Sequence, residues 1–249
     1  MSVEKVIGIG WDVGGWMGNN HGVAICEWDR QSNKLRWKGR ATETSLPDDS
    51  LMSIEQLTGT ADSSFEFDKL DDDTVVVIGI DAPLGYPVPF NKLIDGGLPD
   101  MFKPSKEIYN PLAYRFTDKE IYRVFGKKPL SAVFDRIGNN ATLAIFHARH
   151  WEREAEFKVY PFKEKDVTDN RIILEVYPAL VKEKRFGEVH DHLKQFLPKD
   201  TMPGTDAYDA CICAIYAVAS QTNGAILPKL AEAPKNNDVK KEGWIYYFI

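Results

Sequence analysis

The sequence predicts an α/β fold on a mixed sheet, and three observations predict it. The first 45 residues read as three strands joined by short polar turns, as in an antiparallel meander. The run Thr74–Asp81, TVVVIGID, is continuously β-branched, as in a central strand covered on both faces. Asp206–Ser220 places Ala207, Ala210, Cys211, Ala214, Ile215 and Val218 at helical spacing. Meander, buried strand, insertion, strand and helix make a mixed layout, not a run of alternating parallel units.

The first strand is Val6–Asp12, apolar and glycine-bearing. After the turn MGNNH comes Gly22–Trp28, and DRQSN leads into Lys34–Ala41, which alternates as a half-exposed strand does. A short helix is expected around Ser50–Leu57, and the acidic run Asp71–Asp73 precedes the buried strand. Residues 83–111 carry prolines at 83, 87, 89, 99, 104 and 111 and read as a loop that shapes a substrate site. Ser131–Phe157 reads as largely helical, with Leu143, Phe146, His150 and Trp151 near one face. Arg171–Tyr177 is a further strand, followed by a charged helical stretch, ALVKEKRFGE. Pro203–Gly204–Thr205 punctuates the start of the late helix, and GWIYYFI reads as a returning strand. The whole is expected to be one domain, with residues 83–170 as a helical and loop insertion.

Composition bounds the function. At 43% hydrophobic the chain can bury a core, and no segment approaches the roughly 20 apolar residues of a membrane span. The start MSVEKVIGIG lacks the pattern of a signal peptide. Cys26, Cys211 and Cys213 are odd in number and lack zinc-pair spacing, so reduced, buried thiols in a cytoplasmic protein are expected. The net charge of −6 divides into −9 over residues 1–102, +4 over 103–158 and −1 over 159–249. An acidic chain is a poor nonspecific nucleic-acid binder, and only the middle segment would welcome a polyanion.

Chemistry points to two strand ends. Asp12 and Asp81 each close an apolar run and open a glycine-bearing turn, Gly14–Gly15 after the first and Pro83–Gly85 after the second. A carboxylate there is costly without a partner. If the two strands are neighbours, mutual repulsion favours a divalent cation between them. Asp206 and Asp209 share a face in the first turn of the late helix. They read either as capping and first-turn acids suited to the helix dipole or as further metal ligands. Glu175, inside RIILEVYP, faces either solvent or the site. His147 and His150, with Glu154 beyond, lack the His-Glu-x-x-His pattern and read as a packed or surface pair. His190 and His192 read as solvent-facing.

The ordered set GIGWDVGGW, GIDAPLGYP, YRFTDKEI, LEVYPA and TDAYDACICAIYA resembles domain-of-unknown-function family 429, described as predicted RNase H-like nucleases. The resemblance spans nearly the whole chain. It implies a ribonuclease H-like mixed five-stranded sheet, three antiparallel strands then parallel additions, flanked by helices. It implies two-metal hydrolysis of a phosphodiester with Mg²⁺ or Mn²⁺. Asp12 would bridge the ions, and Asp81 and Asp209 would flank them with Glu175 or Asp206 assisting. Arg115, in the Arg-x-x-Asp motif with Asp118, would bind a phosphate or pair with Asp118. Gly14 and Gly15 would let the backbone approach the substrate, a nucleic acid or another phosphodiester. Two other functions share such a core: a catalytically silent binding module, and an ATP-binding phosphotransferase of the actin and sugar-kinase type. The latter needs a second glycine-rich phosphate turn, absent here beyond Gly79–Gly85.

Overall fold

The computed structural model describes residues 3–18, 20–48, 51–71, 73–182 and 187–249. It is an α/β protein with one mixed sheet. The meander is present: β1 (Lys5–Asp12), β2 (His21–Asp29) and β3 (Lys34–Thr44) pair antiparallel in sequence order. The buried run is β4 (Thr74–Asp81), which lies parallel to β1 in unbroken register from Lys5↔Thr74 to Asp12↔Asp81. Parallel to β4 runs β6 (Arg171–Val176).

Among the described residues the expected five strands are seven. The outer edge of β6 is covered first by β5 (Lys158–Tyr160), against Ile172–Leu174. It is covered next by β7 (Ile245–Tyr246), against Glu175 and Val176. A three-residue strand inside a segment of helical pattern is too short to show alternation. Of the closing GWIYYFI, only Ile245–Tyr246 joins the ladder, and Phe248 bridges Leu230 antiparallel.

Helices cover both faces. On one side lie α1 (Ile54–Ala61) and α4 (Ile137–Glu154), packed on Ile7, Ile9, Trp11, Val76, Ile78 and Ile80. On the other lies α6 (Asp206–Thr222), packed on Val6, Val75, Val77, Ile172 and Leu174. That side also receives α3 (Phe116–Phe125), through Ile121 and Phe125. The glycines of β1, β2 and β4 belong to the α6 side. A Cβ on Gly8, Gly10 or Gly79 would overlap the carbonyl oxygen of Ala214, Ala210 or Cys213. With small residues on both surfaces, the helix lies almost on the backbone of β1 and β4.

Several local expectations shift. Helix α1 starts at Ile54, capped by Ser53 with Gln56 completing a capping box; Ser50 lies outside the described residues, as does Asp72 of the acidic run. Within the proline-bearing segment lies α2 (Val88–Ile94), where Pro89 sits in the first turn and its missing N–H costs nothing. The buried face of α4 is Leu143, Ala144, His147, Ala148 and Trp151, while Phe146 is 54% exposed. Within ALVKEKRFGE, Pro178–Leu180 is a 3₁₀ turn and residues 183–186 lie outside the described residues. The described helix, α5 (Gly187–Lys194), begins only at the end of that stretch. A last short helix, α7 (Val239–Glu242), precedes β7. Cys26, Cys211 and Cys213 are free and buried, and no described helix is long and apolar enough to cross a membrane.

Candidate functional site

Asp12 and Asp81 end neighbouring parallel strands and are direct register partners, so their backbones stand roughly 4.8 Å apart. Alternation from Val6 and from Val75 puts both on the α6 side of the sheet. There the glycine contacts bring in the first turn of α6, which carries Asp206 and Asp209. Gly22 serves the same end, because a Cβ there would overlap the Asp206 carbonyl. The helix cap is Thr205, which accepts from the Tyr208 amide, so Asp206 is free of capping duty. Its carboxylate accepts instead from Asn20 Nδ2 at 2.6 Å.

The acids repel one another. Burial, then Asp81, Asp209 and Asp206, hold the Asp12 carboxyl well above the usual carboxylate range. Burial, then Asp209 and, more weakly, Glu175, do the same for Asp81. No hydrogen bond to either carboxylate offsets this among the described residues; the one opposing influence is the ammonium of Lys182. Lys182 donates to Asp209 Oδ2 at 2.6 Å and lies 2.5 Å from Oδ1, off the hydrogen-bond axis. The buried Oδ1 therefore has charge contact without a hydrogen bond of its own. Among the described residues, no three His, Cys, Asp or Glu side chains converge closely enough to hold a metal ion as they stand. The acids instead gather loosely around a lysine.

Glu175 adds to the repulsion on Asp81 but does not share its face of the sheet. It pairs in register with Ile80, one residue before Asp81, and therefore points to the opposite face. There Arg115 clamps it, Nη1 to Oε2 at 2.7 Å and Nη2 to Oε1 at 2.6 Å. The Leu84 amide adds a third bond at 2.9 Å. The expected phosphate-binding role of Arg115 is corrected in the same way. Its Nε and Nη2 also donate to Asp118, and Nη1 to the Glu242 carbonyl. All five guanidinium donors are spent and the residue is 2% exposed. Burial alone would lower its pKa, but Asp118 and Glu175 raise it. Burial raises the Glu175 carboxyl against the pull of Arg115. Glu242 completes the hub by accepting from the Val88 and Phe116 amides at 2.7 and 2.6 Å. The Arg-x-x-Asp motif thus pins α3 to β6, and Glu242 ties α2 to the same hub.

The Gly14–Gly15 turn is also internally committed. Gly14 N–H donates to His21 Nδ1, and His21 Nε2–H donates to the Gly15 carbonyl, both at 3.1 Å. This pattern needs the neutral ring, and burial lowers the His21 pKa accordingly. Gly15 has φ +82, and a Cβ there would strike Asn139. Asn140 donates to the Val13 carbonyl. The two glycines therefore shape the exit from Asp12, with no amide of Gly14 left for a substrate. His147 is a core residue: it accepts from the Met52 amide through Nε2, and its Nδ1–H meets the Leu143 carbonyl. Burial pushes its pKa down to about 4. His150 is partly buried and Glu154 exposed. His192 is exposed, whereas His190 is partly buried against the Tyr208 hydroxyl.

Sequence reasoning missed His21, Glu242 and Lys182. His21 had a signal in its place, directly before a strand and after a polar turn. Lys182 had none, being one basic residue in a charged stretch. Beside Asp81 a cleft of about 50 Å³ opens between Pro83, Pro129, Leu130, Ile137 and Tyr177, with Arg115 and Glu175 as its back wall. Comparison of the chain with protein-family models, with curated proteins and with solved structures finds no match.

Proposed function

We propose that this chain is a metal-dependent hydrolase of phosphodiesters, a nuclease or a related phosphodiesterase, on a ribonuclease H-like core. The observation that carries the reading is the register pairing of Asp12 with Asp81 on the face where α6 delivers Asp209. The strand order β3-β2-β1-β4-β6, with a helix after the last strand packed on β1 and β4, supports the core assignment.

In donor chemistry the acids suit a hard divalent cation, which would have to draw them closer than they now stand. Carboxylate oxygens are the preferred donors of Mg²⁺ and Mn²⁺, and the repulsion around Asp12 is what such a charge relieves. When bound, the ions supply an activated water and stabilise the attacking and leaving oxygens. Asp12, which feels the other three acids, would hold the metal together with Asp81 and Asp209. Asp206, tethered by Asn20, would stand at the rim. Glu175 drops out of the ligand set, because both of its oxygens are committed to Arg115.

One observation favours a second reading, the catalytically silent module: a lysine already holds Asp209. Activity separates the two. Pure protein would be incubated with Mg²⁺ or Mn²⁺ and labelled single strands, duplexes, RNA–DNA hybrids and bis-p-nitrophenyl phosphate. The hydrolase reading expects cleavage that chelation and Asp12→Asn both abolish. Cleavage that persists in Asp12→Asn, or no cleavage by a metal-loaded parent, would overturn it.

A further inference from the structure

Lys182 lies just past the 3₁₀ turn Pro178–Leu180 that follows β6. Its ammonium stands against both oxygens of Asp209, at 2.5 and 2.6 Å. This is where a cation taking that carboxylate would have to sit. Among the described residues, the same ammonium is the one positive group that acts on Asp12 and Asp81. Arg115, a buried cation nearby, is fully engaged on the far face. The Lys182 side chain is 36% exposed, and its flexible four-carbon stem can swing into water.

We propose that Lys182 sets the metal affinity of the acid cluster by holding Asp209 in competition with the divalent cation. This rests on the metal-dependent reading above and adds a residue outside the ligand set. The lone pairs of Asp209 that Lys182 uses are those a metal would need. Two cations at one carboxylate also repel across a short distance in a partly desolvated site. Metal entry and the Lys182–Asp209 pair therefore exclude one another. Without metal, the pair supplies the positive charge that lets the cluster exist.

The test is a Mn²⁺ titration of the full chain, following free Mn²⁺ by electron paramagnetic resonance, for the parent, Lys182→Met and Lys182→Arg. Lys182→Met should bind Mn²⁺ about tenfold tighter or more, since a charge-assisted contact no longer opposes entry. Lys182→Arg keeps the charge and should stay near the parent. In the parent, acetylation of Lys182 read by mass spectrometry should rise on Mn²⁺ saturation, a result that needs no variant to fold. A parent that binds Mn²⁺, with Lys182→Met equal or weaker, overturns the role of Lys182 and leaves the metal site standing. Acetylation of Lys182 unchanged by saturating Mn²⁺ does the same. Folded parent and folded Lys182→Met that both fail to bind overturn the metal site and this inference together.

Discussion

Asp12 and Asp81 are register partners at the ends of two adjacent parallel strands, with no stagger between them. Nothing in the packing of a sheet asks for two acids there. Their own repulsion and burial push both carboxyls above the usual range. The fold gives up stability to keep them, as expected of a site rather than of a core.

The repulsion has a pH signature. In the folded chain Asp12 and Asp81 keep their protons to higher pH than in the unfolded chain. From about pH 4, the ordinary carboxylate value, up to the raised folded value, the folded state binds more protons. The stability contribution is full below that window and is lost as pH rises through it. Without added metal, the urea midpoint should fall between about pH 5 and about pH 8. It should fall less in Asp81→Asn, whose amide does not titrate. Equal falls in both proteins would contradict the account.

The Arg115 hub makes a separate prediction. Arg115→Met strands Glu175 and Asp118 as buried, unpaired acids, and should cost about 3–5 kcal/mol in urea denaturation. An arginine kept for phosphate binding would cost far less stability when removed. An unchanged midpoint would therefore restore the substrate role that the geometry denies.

The close seating of α6 can be tested with two alanines. Gly10→Ala drives a Cβ into the Ala210 carbonyl and should lose about 1–3 kcal/mol, by overpacking. Gly59, in α1, has open space around it, so Gly59→Ala should gain about 0.5–1 kcal/mol from helix propensity. Similar effects at the two sites would mean that α6 does not rest on the β1 backbone. The delivery of Asp209 to the strand ends would then lose its basis.

The parts of this fold legible in the sequence are those with a local signal. β4 announces itself by a β-branched run, α6 by its period and its small residues, and the two strand-end acids by the turns they open. What was hidden depends on partners distant in sequence. Glu175 looked like a site acid because its facing is set by the β4–β6 register, and one residue of register decides the face. Arg115 looked like a phosphate ligand because its five partners come from Asp118, Glu175 and Glu242, the last 127 residues away. α2 was hidden by prolines that suit a helix start as well as a loop. Lys182 became visible only once the cluster it enters was built.

The most direct measurement is a crystal structure of the chain soaked in Mn²⁺ and recorded at a wavelength where manganese scatters anomalously. A peak bound to both Asp12 and Asp81 is expected, with the Lys182 ammonium withdrawn from Asp209. Crystals with no peak at the two strand ends and Lys182 still on Asp209, at Mn²⁺ concentrations that saturate ordinary carboxylate sites, would contradict it.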